Sequence, residues 1–131
     1  MDLKILEIAS NTENNKVIDN FTHKSKNKNP ICGDEMEISL VVKNNTVIDM
    51  GYQCKSCVYC QASVSLLSQK IKNKKLQEIK KFVISCENFF ENTKIEIEKN
   101  WRDFLKLFDK KNISRKECLL LPLRTVLKAL K

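Results

Sequence analysis

Four residues in this chain have the types and the settings expected of ligands to a soft metal ion. They are Cys32 and Asp34 in Pro-Ile-Cys-Gly-Asp, Cys57 in Cys-Lys-Ser-Cys-Val-Tyr-Cys, and Cys118 in Arg-Lys-Glu-Cys. Thiolates and a carboxylate bind zinc tetrahedrally, and thiolates also hold iron together with sulfide. Gly33 permits a tight turn that lets a thiolate and a carboxylate two residues apart reach one ion. The alternative is a buried cysteine beside a surface aspartate.

The second cysteine has two close neighbours. Cys54, Cys57 and Cys60 have the spacing C-x2-C-x2-C, which begins a bacterial ferredoxin-type run, but the fourth cysteine and the proline of that run are missing here. A C-x2-C pair by itself indicates either zinc binding or thiol redox chemistry. The spacing therefore does not require all three thiols to be ligands.

The neighbouring sequence suggests different roles for the remaining cysteines and the single histidine. Cys118 follows Arg115 and Lys116, and cations lower a thiol pKa, although a leucine run after it would also suit a core cysteine. Cys86 lies on an apolar helical stripe, so we expect it to be a small core residue. His23 lies in a polar stretch, so we expect an exposed side chain rather than a ligand.

The elements that position these residues follow from apolar periodicity. Alternation predicts a hairpin with strands over residues 36–42 and 47–53 around an Asn-rich turn, and residues 10–29 predict a mobile or partly ordered connection. Helical spacing predicts helices over residues 2–9, 57–71, 75–90, 99–108 and 122–130, the last with Pro122 at its first position. The predicted class is α+β, with a small antiparallel, hairpin-based sheet and helices packed on one side.

Composition limits the compartment and the partners. The 131 residues suit one domain over 1–131, with a core, and 42% hydrophobic content is typical of a globular chain. No apolar run approaches the ~18 residues of a membrane span, and no secretory signal is present, so we expect a cytoplasmic protein with reduced thiols. The net charge of +8 indicates a lysine-rich, solvated surface, and the alternative is a surface that binds an acidic partner, either a protein or nucleic acid. The lysines are scattered and have no interleaved aromatics, which argues against nucleic acid.

In combination these motifs resemble the NifU/IscU-type family of iron–sulfur cluster assembly proteins. The resemblance extends from about Asn29 to the C-terminus and includes the Ala-Ser pair after the second cysteine. It implies a SufE/NifU-like fold, cluster binding through Cys32, Cys57 and Cys118, and a metal site that adds Asp34. It also implies Zn²⁺ or a transient [2Fe–2S] or [4Fe–4S] cluster, a cysteine desulfurase as sulfur donor, and downstream iron–sulfur acceptor or carrier proteins.

Departures from the family pattern point to one branch. Glu117 stands where many scaffold members carry a histidine, and Cys54 and Ser56 replace glycines. Two features look like the SufU branch. They are Arg115 and the long stretch from the second to the third cysteine, which includes an extra helical segment around residues 91–108. Members of that branch bind zinc through three Cys and one Asp and accept sulfur. Cys54 and Cys60 match neither branch.

The resemblance gives each ligand a role. We expect Cys118 to accept the persulfide, because it should lie near the surface at a helix start, and Asp34 to be the weakest ligand. The chain would then be a scaffold or a zinc-dependent sulfurtransferase rather than a stand-alone enzyme. Two alternatives are a small zinc-stabilised binding module, possible for nucleic acid at this charge, and a thiol oxidoreductase that uses Cys54 and Cys57 without the expected βαβ context.

Overall fold

The computed structural model describes residues 3–91 and 97–131. Its elements are α1 (Leu3–Ser10), β1 (His23–Lys28), β2 (Glu35–Lys43), β3 (Thr46–Lys55), α2 (Val58–Lys70), α3 (Leu76–Phe89), 3₁₀ helices at Lys99–Lys106 and Lys110–Arg115, and α4 (Lys116–Ala129). The three strands form one antiparallel sheet in the order β1-β2-β3. The expected α+β class is confirmed. No helix in the described ranges is long and apolar enough to cross a membrane.

The predicted hairpin is confirmed as β2 and β3. Asn44 and Asn45 both have positive φ, 52° and 59°, as a two-residue turn between twisted strands requires. Opposite residues of the hairpin form apolar pairs that face the helices, for example Leu40 with Met50. This face of the sheet belongs to a hydrophobic core that includes residues from all four α-helices.

The expectation of a mobile connection over residues 10–29 is wrong, because this region contains β1. The strand His-Lys-Ser-Lys-Asn-Lys has no apolar alternation, so the usual pattern could not reveal it. Its partners are polar: the Ser25 hydroxyl donates to the Thr125 carbonyl at 2.6 Å, and Lys24 pairs with Glu37 at 2.9 Å. His23 is half-buried at the start of this strand rather than exposed. Lysines on such an edge strand discourage further pairing.

The chain before β1 passes against β3. The Tyr52 backbone N–H donates to the Asn14 carbonyl at 3.1 Å, and the Asn14 side chain reaches Ser68 of α2 at 3.1 Å. A Cβ atom on Gly51 would lie 2.6 Å from the Lys16 carbonyl oxygen. The polar segment is therefore ordered by contacts made far along the chain.

The predicted helices after the hairpin are confirmed in α2 and α3, but the helix expected over residues 99–108 is a 3₁₀ helix. Trp101 in this segment stacks on Phe82 of α3, with ring centroids 4.1 Å apart, and Phe104 meets Phe82 edge-on. Aromatic packing therefore holds the segment against α3. The extra helical segment expected around residues 91–108 includes positions 92–96, which lie outside the described residues.

The last helix begins earlier than Pro122 suggested. α4 starts at Lys116 and contains Pro122 in its interior, where the missing N–H leaves the Cys118 carbonyl without its helical donor. Leu119, Leu123 and Val126 are fully buried on this helix, and their burial offsets the lost bond. Cys118 consequently lies inside the first turn of the helix rather than on the approach to it.

Gly51→Ala should destabilise the fold by about 1–3 kcal/mol, because the added methyl group would collide with the backbone carbonyl of Lys16. Urea unfolding followed by circular dichroism measures the change. Gln53→Ala, at an exposed position two residues along β3, is the matched control and should change stability far less. Equal stability of the two variants would contradict the close approach of the two segments.

Candidate functional site

A loop at the end of the sheet presents Cys32 and Asp34. The Asn29 N–H donates to the Asp34 carbonyl at 2.8 Å, and the Gly33 N–H donates to the Asn29 carbonyl at 2.8 Å. Asn29 also accepts a bond from the Ile31 N–H through its side chain at 3.0 Å. Gly33 has φ of 79°, a left-handed conformation that glycine adopts without strain. The turn predicted from the Cys-Gly-Asp stretch is thus present and closed by hydrogen bonds.

Two helix starts carry the other thiols. Cys57 is the residue that caps the N-terminus of α2, and Cys118 lies in the first turn of α4. The unsatisfied N–H groups of a helix start carry partial positive charge, which stabilises anions such as thiolates. The site therefore combines the N-terminal ends of two helices, which favour negatively charged groups, with one loop of the sheet.

A buried hydrogen bond fixes the two helices relative to each other. The Ser63 hydroxyl of α2 donates to the Leu119 carbonyl of α4 at 2.7 Å, and both residues are fully buried. Ala62, the other member of the Ala-Ser pair, is also fully buried. The pair was visible in the sequence as a match to a family motif, but its role in joining the helices was not.

The structure brings three of the four expected ligands directly together. One ligand atom each from Cys32, Asp34 and Cys118 lies within 4.8 Å of the other two. Cys57 stands beside this trio, where its thiol helps to raise the pKa of Cys118 after the larger effect of burial. The four residues therefore form one cluster, and Cys57 lies outside the trio whose ligand atoms are within 4.8 Å of one another.

Exposure differs sharply within the cluster. Cys32 is exposed and Cys57 is half-buried, whereas Asp34 is 8% and Cys118 only 6% exposed. The expectation that Cys118 lies near the surface is wrong, because the residues around the start of α4 cover it. Cys32 is the member of the cluster that an approaching molecule meets first.

Asp34 carries the clearest indication of a missing positive partner. Its buried Oδ2 atom has no hydrogen-bond partner among the described residues, and an unsatisfied buried carboxylate oxygen is costly. Burial raises the pKa of Cys118, and the Cys57 thiol with the negative charges of Cys32 and Asp34 raises it further. A cation between these groups would satisfy the carboxylate and favour the thiolates. The donor set thus fits a soft metal ion.

The other thiols lie in different surroundings. Cys60 and Cys86 are fully buried, as expected for Cys86, and burial raises the pKa of both. Cys54 is half-buried, and burial, with the charge of Asp34 as a further cause, raises its pKa as well. Cys54 also helps to line a groove of about 720 Å³ at the end of the sheet.

Glu117, at the position where scaffold members carry histidine, is already engaged. Its carboxylate pairs with Arg124, whose guanidinium also binds Glu87 of α3 through bonds of 2.6 and 2.9 Å. This network ties α4 to α3 instead of supplying a ligand. Arg115 at the start of α4 lies 5.2 Å from the ring centroid of Tyr59 in the first turn of α2. Its charge thus stands between the two helix starts.

Comparison with known proteins identifies the family. The sequence model of the NifU-like N terminal domain matches residues 2–95. The chain belongs to this family. A curated relative, the iron–sulfur cluster assembly scaffold protein IscU from Thermotoga maritima, is 29% identical over 128 residues, covering 97% of the chain and 89% of the relative.

Solved structures agree with this NifU-like assignment. SufU from Fervidobacterium islandicum, described as an iron–sulfur cluster assembly scaffold protein for the SUF system, has a TM-score of 0.89 at 25% identity, covering 100% of this chain and 96% of SufU. The N-terminal part of a NifU-like protein from Brucella abortus has a TM-score of 0.90 at 18% identity, covering 98% and 90%, and shares the fold. The resemblance based on the cysteine motifs is therefore confirmed.

Burial predicts the order in which the thiols react. Iodoacetamide at pH 8 should modify Cys32 first and Cys60 and Cys86 last, because the reagent needs an accessible thiolate and burial keeps the last two protonated. Timed alkylation of the native, metal-free protein with peptide mass spectrometry measures the order. The unfolded protein is the control, in which these differences should disappear. Early modification of Cys86 would contradict the described packing.

Proposed function

We propose that this NifU-like protein is a scaffold of iron–sulfur cluster assembly that binds metal through Cys32, Asp34, Cys57 and Cys118. The observation that carries the proposal is the trio of ligand atoms within 4.8 Å, in which a buried carboxylate oxygen has no hydrogen-bond partner in the part of the chain that the structure describes. The names of the Thermotoga and Fervidobacterium relatives support the same role.

The donor chemistry suits zinc or iron. Three thiolates and one carboxylate carry four negative charges, so a divalent ion leaves a net charge of −2, which the Arg115 guanidinium and the helix starts offset in part. Zinc bound here would keep the sulfurs deprotonated and close the site. Cys57 completes the set by turning its thiol away from Cys118. Asp34 is the hard donor in a soft set and would hold such a metal least strongly.

As a scaffold, the protein carries the cluster as cargo. The same three thiolates would hold a transient [2Fe–2S] or [4Fe–4S] cluster until an acceptor or carrier protein takes it. The sulfur would come from a cysteine desulfurase, and the reducing cytoplasm would keep the six cysteines as thiols.

Exposure suggests how sulfur reaches the site. A desulfurase persulfide would first meet the exposed Cys32, which takes the terminal sulfur by thiol–persulfide exchange. Cys118, the acceptor expected from the sequence, lies beneath it with its sulfur within 4.8 Å. Attack by the Cys118 thiolate breaks the S–S bond at Cys32, forms a new one at Cys118 and leaves a Cys32 thiolate. Cys118 then holds the sulfur inside the site.

Asp34→Ala should weaken zinc binding by at least about tenfold, because it removes a ligand, and should lengthen the lifetime of a reconstituted cluster, because the most easily displaced donor is gone. Competition with a chromophoric chelator measures zinc affinity, and loss of visible absorption measures cluster lifetime. Glu35→Ala, which removes a neighbouring exposed carboxylate, is the matched control and should change neither value. If Asp34→Ala behaves like this control, Asp34 is not a ligand.

Cys32→Ser should lose most persulfide labelling after incubation with a cysteine desulfurase and ³⁵S-cysteine, because it removes the accessible thiol. Cys118→Ser should keep labelling at Cys32, and Cys86→Ala should resemble wild type. Non-reducing peptide mass spectrometry locates the label. An unlabelled Cys118→Ser variant beside a labelled Cys32→Ser variant would instead make Cys118 the direct acceptor.

A further inference from the structure

Beside the proposed ligand set lies a thiol that the set does not use. Cys54 is the penultimate residue of β3, and only two residues separate it from Cys57 at the start of α2. Both cysteines are free thiols. The C-x2-C spacing is the one found in proteins that form and break a disulfide during function. The end of the strand thus carries a spare thiol three residues before a proposed ligand.

Strand pairing brings Cys54 close to the rest of the site. Cys54 lies opposite Met36, and the next pair in the ladder joins Lys55 to Glu35, the residue that follows Asp34. Paired residues of antiparallel strands have Cα atoms about 4.5–5.5 Å apart. The loop that carries Cys32 and Asp34 therefore ends directly beside the end of β3.

Access distinguishes Cys54 from the other spare thiol of this segment. Cys54 is half-buried and lines the open groove of about 720 Å³, whereas Cys60 is fully enclosed in the core. The groove is also lined by four lysines, namely Lys26, Lys28, Lys55 and Lys128, and by two glutamates, Glu35 and Glu37, so these six side chains carry four positive and two negative charges. A small thiol in solution can thus reach Cys54 but not Cys60.

Cluster assembly requires a source of electrons, and such a thiol can supply them. A persulfide holds its outer sulfur in the sulfane state, whereas a cluster contains sulfide, so each sulfur must gain two electrons. Two thiols that become one disulfide supply two electrons. Cys57 contacts Cys118 on one side and is linked to Cys54 by a short connection on the other.

We propose that Cys54 is a resolving thiol, which releases sulfide from a persulfide held on Cys57. This inference rests on the proposed function, because it requires that the site accept sulfur. Exchange with Cys118 first passes the outer sulfur to Cys57. The Cys54 thiolate then attacks the inner sulfur of the Cys57 persulfide. The Cys54–Cys57 bond forms, the bond to the outer sulfur breaks, and that sulfur leaves with the electron pair as HS⁻.

The step balances without an external oxidant. Cys54 and Cys57 are oxidised to a disulfide, and the sulfane sulfur is reduced to sulfide. For another turnover, two molecules of a low-molecular-weight thiol restore both cysteines and leave as their own disulfide. The lysines of the groove favour a reductant that carries carboxylates, such as glutathione, over a cationic thiol such as cysteamine.

The test loads sulfur without a desulfurase. The metal-free full chain is treated anaerobically with inorganic polysulfide, desalted, and assayed for free sulfide with monobromobimane in the absence of reductant. Wild type should release about one sulfide for each persulfide lost. Trypsin cuts after Lys55, so a Cys54–Cys57 disulfide should join peptides 44–55 and 56–70 in non-reducing mass spectrometry.

Two serine variants separate the roles of the spare thiols. Cys54→Ser should keep its persulfide and release sulfide at least tenfold more slowly. Cys60→Ser is the matched control and should release sulfide as wild type does, with the same joined peptides, which also excludes a bond through Cys60. Circular dichroism checks that both variants are folded.

Several outcomes would overturn the inference. These are sulfide release by Cys54→Ser at the wild-type rate, absence of the joined peptides in wild type, or absence of a persulfide on Cys57 in the loaded Cys54→Ser variant. None of these decides whether the protein takes sulfur from a desulfurase, because the labelling of Cys32 and Cys118 tests that separately. Loss of desulfurase labelling with intact sulfide release would contradict the proposed function alone.

Discussion

The relation between α2 and α4 is the constraint on which the site depends. These helices bring Cys57 and Cys118 to one place because their starts face the same loop, and the buried bond from Ser63 to the Leu119 carbonyl fixes their relative position. A shift of either helix would separate the thiols. The sheet contributes through its end, where the Asn29 hydrogen bonds close the loop that carries the exposed thiol.

The second important property of the site is the electrostatic environment of its thiols and its carboxylate. A carboxylate and thiols lie close together in a partly buried place, where burial raises the pKa of Cys118 and the neighbouring groups Cys57, Cys32 and Asp34 raise it further. Helix starts and the Arg115 charge relieve only part of this repulsion. Negatively charged groups that lie this close together favour the binding of a cation. In the proposed function, the Asp34 carboxylate would be the most weakly held donor, which would allow the cluster to leave.

The fold also divides six chemically identical thiols by access. Cys32 faces solvent, Cys118 lies beneath it, Cys54 opens to a groove, and Cys60 and Cys86 belong to the core. Access decides which thiol can meet a protein donor, which can hold sulfur apart from water, and which can react with a small thiol. In the proposed function, the same residue type would therefore serve the arrival, storage and release of sulfur as well as core packing.

By itself, the sequence determined the hairpin, the helices α2 and α3, the family and the identity of the ligand candidates, because these depend on local spacing and on short motifs. It did not reveal β1, whose polar residues are ordered by pairing with β2 and by hydrogen bonds to α4, or the true start of α4, where distant packing overrides Pro122. Only the tertiary structure showed that the Asp34 Oδ2 atom has no hydrogen-bond partner within residues 3–91 and 97–131 and that Cys118 is buried. Burial and proximity are properties of segments far apart in the chain, so no local pattern encodes them.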